Sequence, residues 1–291
     1  MQIQTVAVVG AGFMGSGIAQ VCAQAGRGVA LVDVDEARLT KAREGIAWSV
    51  GKLVSAKRIE DSVETVLGRI RTGTSLDLVR SADLIIEAVY EEVPVKQAVL
   101  NKLEPYCAPH TIIGSNTSTI PITVLSLATQ RPDRVIGTHF FGPVPLMRLV
   151  EVIPTPKTSE ETLNTILEFT RTLGKNSIVV KKDVPGFLMN RVFGVMLTQA
   201  VHLLEIGAGS AEDIDRGMCD GFNMRMGPLG IADLAGLDIA LNAARVMHEY
   251  DPQGMLPPSP LLEKMVKAGK LGKKSGEGFF KYDAEGKKVG S

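Results

Sequence analysis

Charge is missing from the first 26 residues of the chain, and the first charged side chain is Arg27. Such a stretch raises two possibilities, an export signal or a membrane span, and neither fits. A signal carries a basic segment ahead of its apolar core, and none is present. A span needs about 20 mainly apolar residues, whereas this stretch is interrupted by Gly10, Gly12, Gly15, Gly17, Gln20, Gln24 and Gly26. Cysteine is scarce. Cys22, Cys107 and Cys219 form no CxxC pair, which excludes a zinc cluster or a disulfide framework and suits reduced thiols in a cytoplasmic protein. His110, His139, His202 and His248 show no metal-ligand spacing, so no metal is expected. Net charge is zero, with 32 Lys plus Arg against 32 Asp plus Glu. Neutralising phosphates needs an excess of cations, so a nucleic-acid partner is not expected, and neither is a membrane. There is no repeat and no low-complexity tract. At 291 residues the chain has room for a large core and two domains.

What is present is glycine in a particular order. Residues 3–10, IQTVAVVG, form a β-branched run that reads as a buried strand ending in glycine. Gly10-Ala11-Gly12-Phe13-Met14-Gly15 follows, then a helical pattern to Ala25, then a second buried strand, GVALVD, ending at Asp33. Strand, glycine turn, helix, strand and acid together make a dinucleotide-binding βαβ unit. Gly10 permits the tight turn, Gly12 lets backbone approach a pyrophosphate, and Gly15 lets the helix sit close to the strand. The helix N-terminus offers unpaired N–H groups and the positive end of its dipole to the phosphates. Asp33 is placed to accept from the adenine ribose hydroxyls. Its charge opposes a 2′-phosphate, so NAD is expected over NADP, although nearby Arg38 works the other way.

The alternation continues. Helices are expected over 35–56, 58–68 and 94–106, and strands over 83–89, 111–116, 134–141, 149–153 and 175–181, with a capping-box pattern from Thr158 to Glu161 opening another helix. This predicts an α/β fold with a doubly wound, Rossmann-type parallel sheet, whose ligands bind at the carboxyl ends of the strands. Glu87, Ser115, Asn116, Ser118 and His139 fall at or just beyond such ends. The pattern changes at Asp183-Val184-Pro185-Gly186. Beyond it helices are expected over 186–206, 210–220, 228–249 and 259–268, the first apolar on most faces and therefore buried. The domain boundary is set near 184, giving residues 1–184 as the cofactor domain and 185–291 as an all-α domain.

GAGFMGSGIAQ, SNTSTI, HFFGPVPLMRLVEVI, PGFLMNR, MGPLGIADLAGLD and KLGKKSGEGFF occur in this order. Together they resemble the L-3-hydroxyacyl-CoA dehydrogenase family, with its bacterial 3-hydroxybutyryl-CoA members, from Val6 to about Tyr282. The resemblance implies NAD-dependent oxidation of an L-3-hydroxyacyl-CoA to the 3-ketoacyl-CoA, and the reverse. It makes His139 the acid/base and Glu151 its partner, with Ser118 at the substrate oxygen and Asn190 also at the active site. On the cofactor side it implies Asp33, Glu87, Glu92 and Lys274, beside the turn residues Phe13 and Met14 and the strand-end residues Ser115 and Asn116. For CoA it implies Ser49 together with Lys52 or Lys57 on the second helix, and Ser118. A homodimer through the helical domain is implied as well.

The residues carry their own chemistry. Oxidising a secondary alcohol removes a hydride from carbon and a proton from oxygen, and an imidazole is the usual acceptor of that proton near neutral pH. A carboxylate on its other ring nitrogen fixes the tautomer and stabilises the imidazolium. His139 and Glu151 each stand alone in an apolar run, and GPVP between them supplies a connecting loop. Other readings stay open. Glu151 alone is equally a partner for Arg148, Asn190 a structural interhelix bond, and Ser115 and Asn116 no more than the shape of a turn. His202 and Glu205 read as a local pair, and the lysines of 270–288 as a solvated face or an attraction for CoA phosphates. A sister dehydrogenase acting on a non-CoA hydroxy acid, or a non-catalytic NAD-binding protein, remain alternatives. One position departs from the family, which usually carries Asn where this chain has Gly142. Either the loop needs glycine's backbone freedom, or the missing side chain enlarges the substrate pocket for a bulkier acyl group. The second reading predicts that Gly142→Asn favours short acyl-CoAs over long ones.

Overall fold

A computed structural model describes residues 1–289. It divides into two compact units, Met1–Val184 and Pro185 onward. In the first unit the order is β1 (Thr5–Val9), α1 (Phe13–Gln24), β2 (Gly28–Val32), α2 (Glu36–Ser55), α3 (Val63–Gly68), β3 (Ile70–Gly73), β4 (Leu84–Glu87), α4 (Val93–Leu103), β5 (Ile112–Ser115), α5 (Ile122–Ser126), β6 (Val135–Phe140), β7 (Leu149–Pro154), α6 (Glu160–Thr172) and β8 (Asn176–Val179). The eight strands form one sheet in the order β3-β2-β1-β4-β5-β6-β7-β8. Chain direction is parallel from β3 across to β6. The central strands are buried along their length, which is why they read as unbroken apolar runs.

Two features depart from the sequence reading. The strand β3 was not expected, because only Ile70 of its four residues is buried and no apolar run marks it. The sheet is also not wholly parallel, since β6 and β7 pair antiparallel and β8 runs with β7. Residues 141–148 are too few to cross the sheet, because a parallel return needs a dozen or more residues. Helix starts shift to where side-chain caps are available. Ser62 caps α3 by accepting from Thr65 N, so that helix begins at Val63 rather than 58. Ser159 caps α6 by accepting from Thr162 N, one residue later than the expected box, and Thr158 Oγ1 donates instead to Val135 O.

The second unit holds α7 (Met189–Glu205), α8 (Ala211–Phe222), α9 (Pro228–Ala235), α10 (Leu237–Tyr250) and α11 (Pro260–Lys267), then a hairpin of β9 (Lys281–Tyr282) and β10 (Lys288–Val289). The expected single helix over 228–249 is two helices, broken at Gly236, whose φ of +106° is closed to most side-chain-bearing residues. The first helix of this unit, expected to be buried, is only partly so. Leu197, Ala200 and Val201 face the core, but Val192 and Val195 are 67% and 53% exposed. Glu205 does not pair with His202; it accepts from Ser259 Oγ and Leu261 N, and so caps the start of α11. Burial pushes the Cys22 thiol up to about 12, which leaves it a packing residue at neutral pH.

Candidate active site

The glycine turn lies at the carboxyl end of β1, where the strand order reverses between β1 and β4. Each glycine answers to a specific crowding. Gly10 has φ +106°, and a Cβ there would sit 2.5 Å from Ala88 O. A Cβ on Gly15 would lie 1.8 Å from Gly10 O, so only glycine allows α1 this close to the turn. Gly12 has nothing within 4 Å of its would-be Cβ; it N-caps α1 with no side-chain hydrogen bond, leaving the first-turn N–H groups to an incoming anion. This open backbone cradle fits a dinucleotide pyrophosphate. Asp33 holds the turn from behind, its Oδ2 accepting from Ala11 N at 2.7 Å and its Oδ1 from Asp35 N at 3.2 Å. Arg38 donates to Tyr90 Oη at 2.8 Å and lies 3.6 Å from Asp35, so its guanidinium is engaged locally.

The antiparallel turn-back of β7 sets the next part of the site. His139 on β6 stands directly opposite Glu151 on β7 in the ladder register. Directly opposed residues place their side chains on one face within reach of each other. Nδ1 of His139 donates to Glu151 Oε2 at 2.7 Å, with Glu151 fully buried and the imidazole 7% exposed. In the neutral ring the carboxylate fixes the tautomer, with the proton on Nδ1. The Phe141 ring lies 4.5 Å from the imidazole, centroid to centroid. Asn116 Oδ1 accepts from Phe140 N at 2.9 Å, tying the end of β5 to the strand that carries His139. On the far side, Lys175 Nζ donates to Val144 O and Met147 O, which props the connection between β6 and β7.

Between the turn and the dyad runs a buried ionic chain. Glu87 has no exposed surface: Oε1 accepts from Val89 N and Lys96 Nζ, and Oε2 from Ser115 Oγ, all within 2.8 Å. Its side chain braces the strand ends, and so does that of Ser115. Lys96 reaches on to Glu91 Oε2 at 3.2 Å and Val89 O at 3.3 Å, which satisfies all three ammonium protons. Glu91 in turn receives the 117–119 turn that carries Ser118. The sequence reading passed over both Glu91 and Lys96. The visible signal was a lysine at an inward position of α4, where an unpaired charge is costly.

The other expected residues fall in several places. Phe13 is exposed and Met14 half-buried at the start of α1, and Glu92 is exposed at the N-cap of α4. Ser49 is half-buried on α2, Lys52 is exposed with its ammonium 5.8 Å from the Trp48 ring, and Lys57 is exposed just past the helix end. Asn190 and Lys274 belong to the second unit. Asn190 is half-buried in the first turn of α7, and Lys274 pairs with Asp238 at 2.6 Å. The space beside Gly142 is not vacant, because a Cβ there would come within 2.7 Å of the Phe13 ring and 3.3 Å of Met14 Sδ.

Comparison with known proteins agrees with this geometry. Residues 5–184 match the 3-hydroxyacyl-CoA dehydrogenase NAD binding domain, and residues 186–282 match the C-terminal domain of the same enzymes. The chain is 45% identical over 288 residues to the mitochondrial hydroxyacyl-coenzyme A dehydrogenase of Sus scrofa, covering 96% of this chain and 91% of that protein. It is 43% identical to a probable 3-hydroxybutyryl-CoA dehydrogenase of Bacillus subtilis, covering 97% and 99%. Among solved structures, FadB2 of M. tuberculosis superposes with a TM-score of 0.94 at 40% identity, over 97% of this chain and all of that one. The (S)-3-hydroxybutyryl-CoA dehydrogenase PaaH1 of Ralstonia eutropha gives 0.91 at 40%, with the same coverage. The turn, the switch point and the family match over nearly the whole length converge, and the chain belongs to the NAD-dependent 3-hydroxyacyl-CoA dehydrogenases.

Proposed function

We propose that the protein interconverts an (S)-3-hydroxyacyl-CoA and its 3-ketoacyl-CoA, with His139 as the acid/base. The observation that carries this is the 2.7 Å bond between His139 Nδ1 and Glu151 Oε2, set by cross-strand register in a buried site. NAD, when bound, supplies the hydride acceptor. The turn from Gly10 to Gly15 and Asp33 would hold it. In the oxidation, Nε2 of His139 takes the hydroxyl proton, and Glu151 stabilises the imidazolium that results. In the reduction the same nitrogen returns the proton to the carbonyl oxygen. Ser118 supplies a donor to that oxygen; losing one such donor costs about 3 kcal/mol of transition-state stabilisation. Ser49 and Lys52 on α2, or Lys57 just past its end in place of Lys52, supply polar and cationic groups for the CoA phosphates.

Two further readings complete the proposal. The exposed apolar side chains of the helical unit, among them Val192, Val195, Phe222, Leu234 and Ile239, support a homodimer formed through it. Free cysteines suit a reducing, cytoplasmic setting. Among the described residues no helix is long and apolar enough to cross a membrane. The test is the loss of NADH absorbance when acetoacetyl-CoA is added, extended to a chain-length series. NADH oxidation that needs the CoA thioester supports the reading, and no turnover with any acyl-CoA rejects it.

A further inference from the structure

One carboxylate oxygen, on the segment between β4 and α4, is oversubscribed. Glu91 Oε1 is approached by five donors: Thr117 Oγ1 at 2.6 Å, Ser118 N at 2.7 Å, Thr119 N at 2.9 Å, and the hydroxyls of Ser118 and Thr119 at 3.1 Å each. A carboxylate has about four lone-pair sites, two on each oxygen. The two backbone N–H groups are fixed by the turn, so the three hydroxyls compete for what remains. Thr117 makes the shortest contact, and its oxygen also accepts from Ile120 N, which locks its direction. Thr119 is 1% exposed and has nowhere else to turn. The Ser118 side chain is half-buried and makes one of the two longest contacts. Its proton is therefore the one Glu91 gives up at least cost.

We propose that Glu91 is the positioning residue of the site: it fixes the 117–119 turn through the two N–H groups and holds the Ser118 hydroxyl in reserve, to be released to the substrate oxygen. This rests on the functional reading above for the identity of that oxygen. Lys96 makes the arrangement workable. A bare carboxylate next to an oxygen that gathers negative charge would oppose the reaction. The ammonium, 1% exposed and held between Glu87 and Glu91, offsets that charge and fixes the carboxylate relative to β4. Burial pushes the Glu91 carboxyl up, but the Lys96 charge and the turn's hydrogen bonds outweigh it and hold the group below the usual range, so it stays an acceptor at neutral pH.

Two measurements on the full chain test this, and they fail separately from the functional reading. The first needs no substrate. In Glu91→Ala, hydrogen exchange at the Ser118 and Thr119 amides is expected to speed up by about 10-fold or more, because both lose their acceptor; unchanged exchange overturns the positioning role. The second is a kinetic cycle. Glu91→Ala is expected to lower kcat by about 10- to 100-fold, the scale of a misplaced catalytic group, with KM for NADH within about twofold. In a Ser118→Ala background the same change is expected to cost less than about threefold, since Glu91 acts through Ser118. Glu91→Gln, which keeps one oxygen for the two N–H groups, should recover the exchange protection and part of kcat. Equal factors in both backgrounds reduce Glu91 to a structural brace and overturn the proposal. If no acyl-CoA is turned over at all, the functional reading falls while the exchange result still decides the turn.

Discussion

At the scale of single residues, Glu151 and Asp33 each do more than one thing, and the right substitution separates the roles. The amide of Glu151→Gln still accepts from His139 Nδ1, so the buried ladder pair of β6 and β7 survives. A neutral amide cannot stabilise an imidazolium, and kcat is expected to fall by roughly 10²- to 10⁴-fold, the range of general acid–base catalysis. Thermal unfolding and steady-state rates on one preparation check both halves; near-normal turnover would leave the carboxylate a structural role only. Asp33 was read from the sequence as a ribose acceptor, but it also receives the buried Ala11 amide of the glycine turn. Asp33→Ala should therefore lower the NAD preference and also cost about 1–3 kcal/mol of stability for the orphaned N–H. Asp33→Asn should relax discrimination against NADP while keeping the turn. The checks are kcat/KM for both cofactors and a urea midpoint for each variant. Comparable rates with NAD and NADP in the unmodified enzyme would remove Asp33 from cofactor selection.

Between elements, the glycine turn and the loop after β6 meet where Phe13 and Met14 face Gly142. The Phe13 ring fills the space that a side chain at 142 would need. The contact gives a third account of Gly142, beside backbone freedom and an enlarged acyl pocket: the missing side chain makes room for the protein's own aromatic. Gly142→Asn by itself is then expected to displace Phe13 and lower kcat/KM by a similar factor for every acyl length. Combined with Phe13→Leu, the loss should largely be recovered, with a coupling of about 0.5–3 kcal/mol between contacting sites. Additive losses would separate the two residues, and a chain-length-dependent change would restore the pocket explanation. Much of this level was legible in the sequence. The βαβ unit announced itself because each glycine answers a backbone need and each central strand is buried on both faces. Partners brought together by tertiary packing were not legible. Phe13 and Gly142 lie far apart in sequence, and Glu91 reads as an ordinary surface acid until the 117–119 turn folds onto it.

For the whole molecule, the direction of β7 decides where the chemistry sits. Had β7 continued the parallel pattern, a crossover would have separated Glu151 from His139. The short connection over 141–148 forces an antiparallel return and brings the two into register. Hydrophobic periodicity is blind to strand direction, whereas loop length is not, and this was the available clue. The helical unit poses the opposite problem, since its sequence reads as a core helix while α7 shows an apolar face. Val192 and Val195 lie one turn apart on that helix and are more than half exposed, and Phe222 on α8 is 76% exposed. Apolar surface of this extent ordinarily meets a partner. A second copy of the chain is the occupant the family resemblance implies. The unmodified protein is expected to elute with twice the chain mass in light scattering. Val192→Glu with Val195→Glu would desolvate two carboxylates at such an interface, where like charges also face each other across a two-fold axis. That variant should shift to the mass of one chain and keep the far-ultraviolet circular dichroism of the folded protein. A dimer that survives both carboxylates would move the interface away from this face of α7, and a monomeric unmodified protein would remove the dimer altogether.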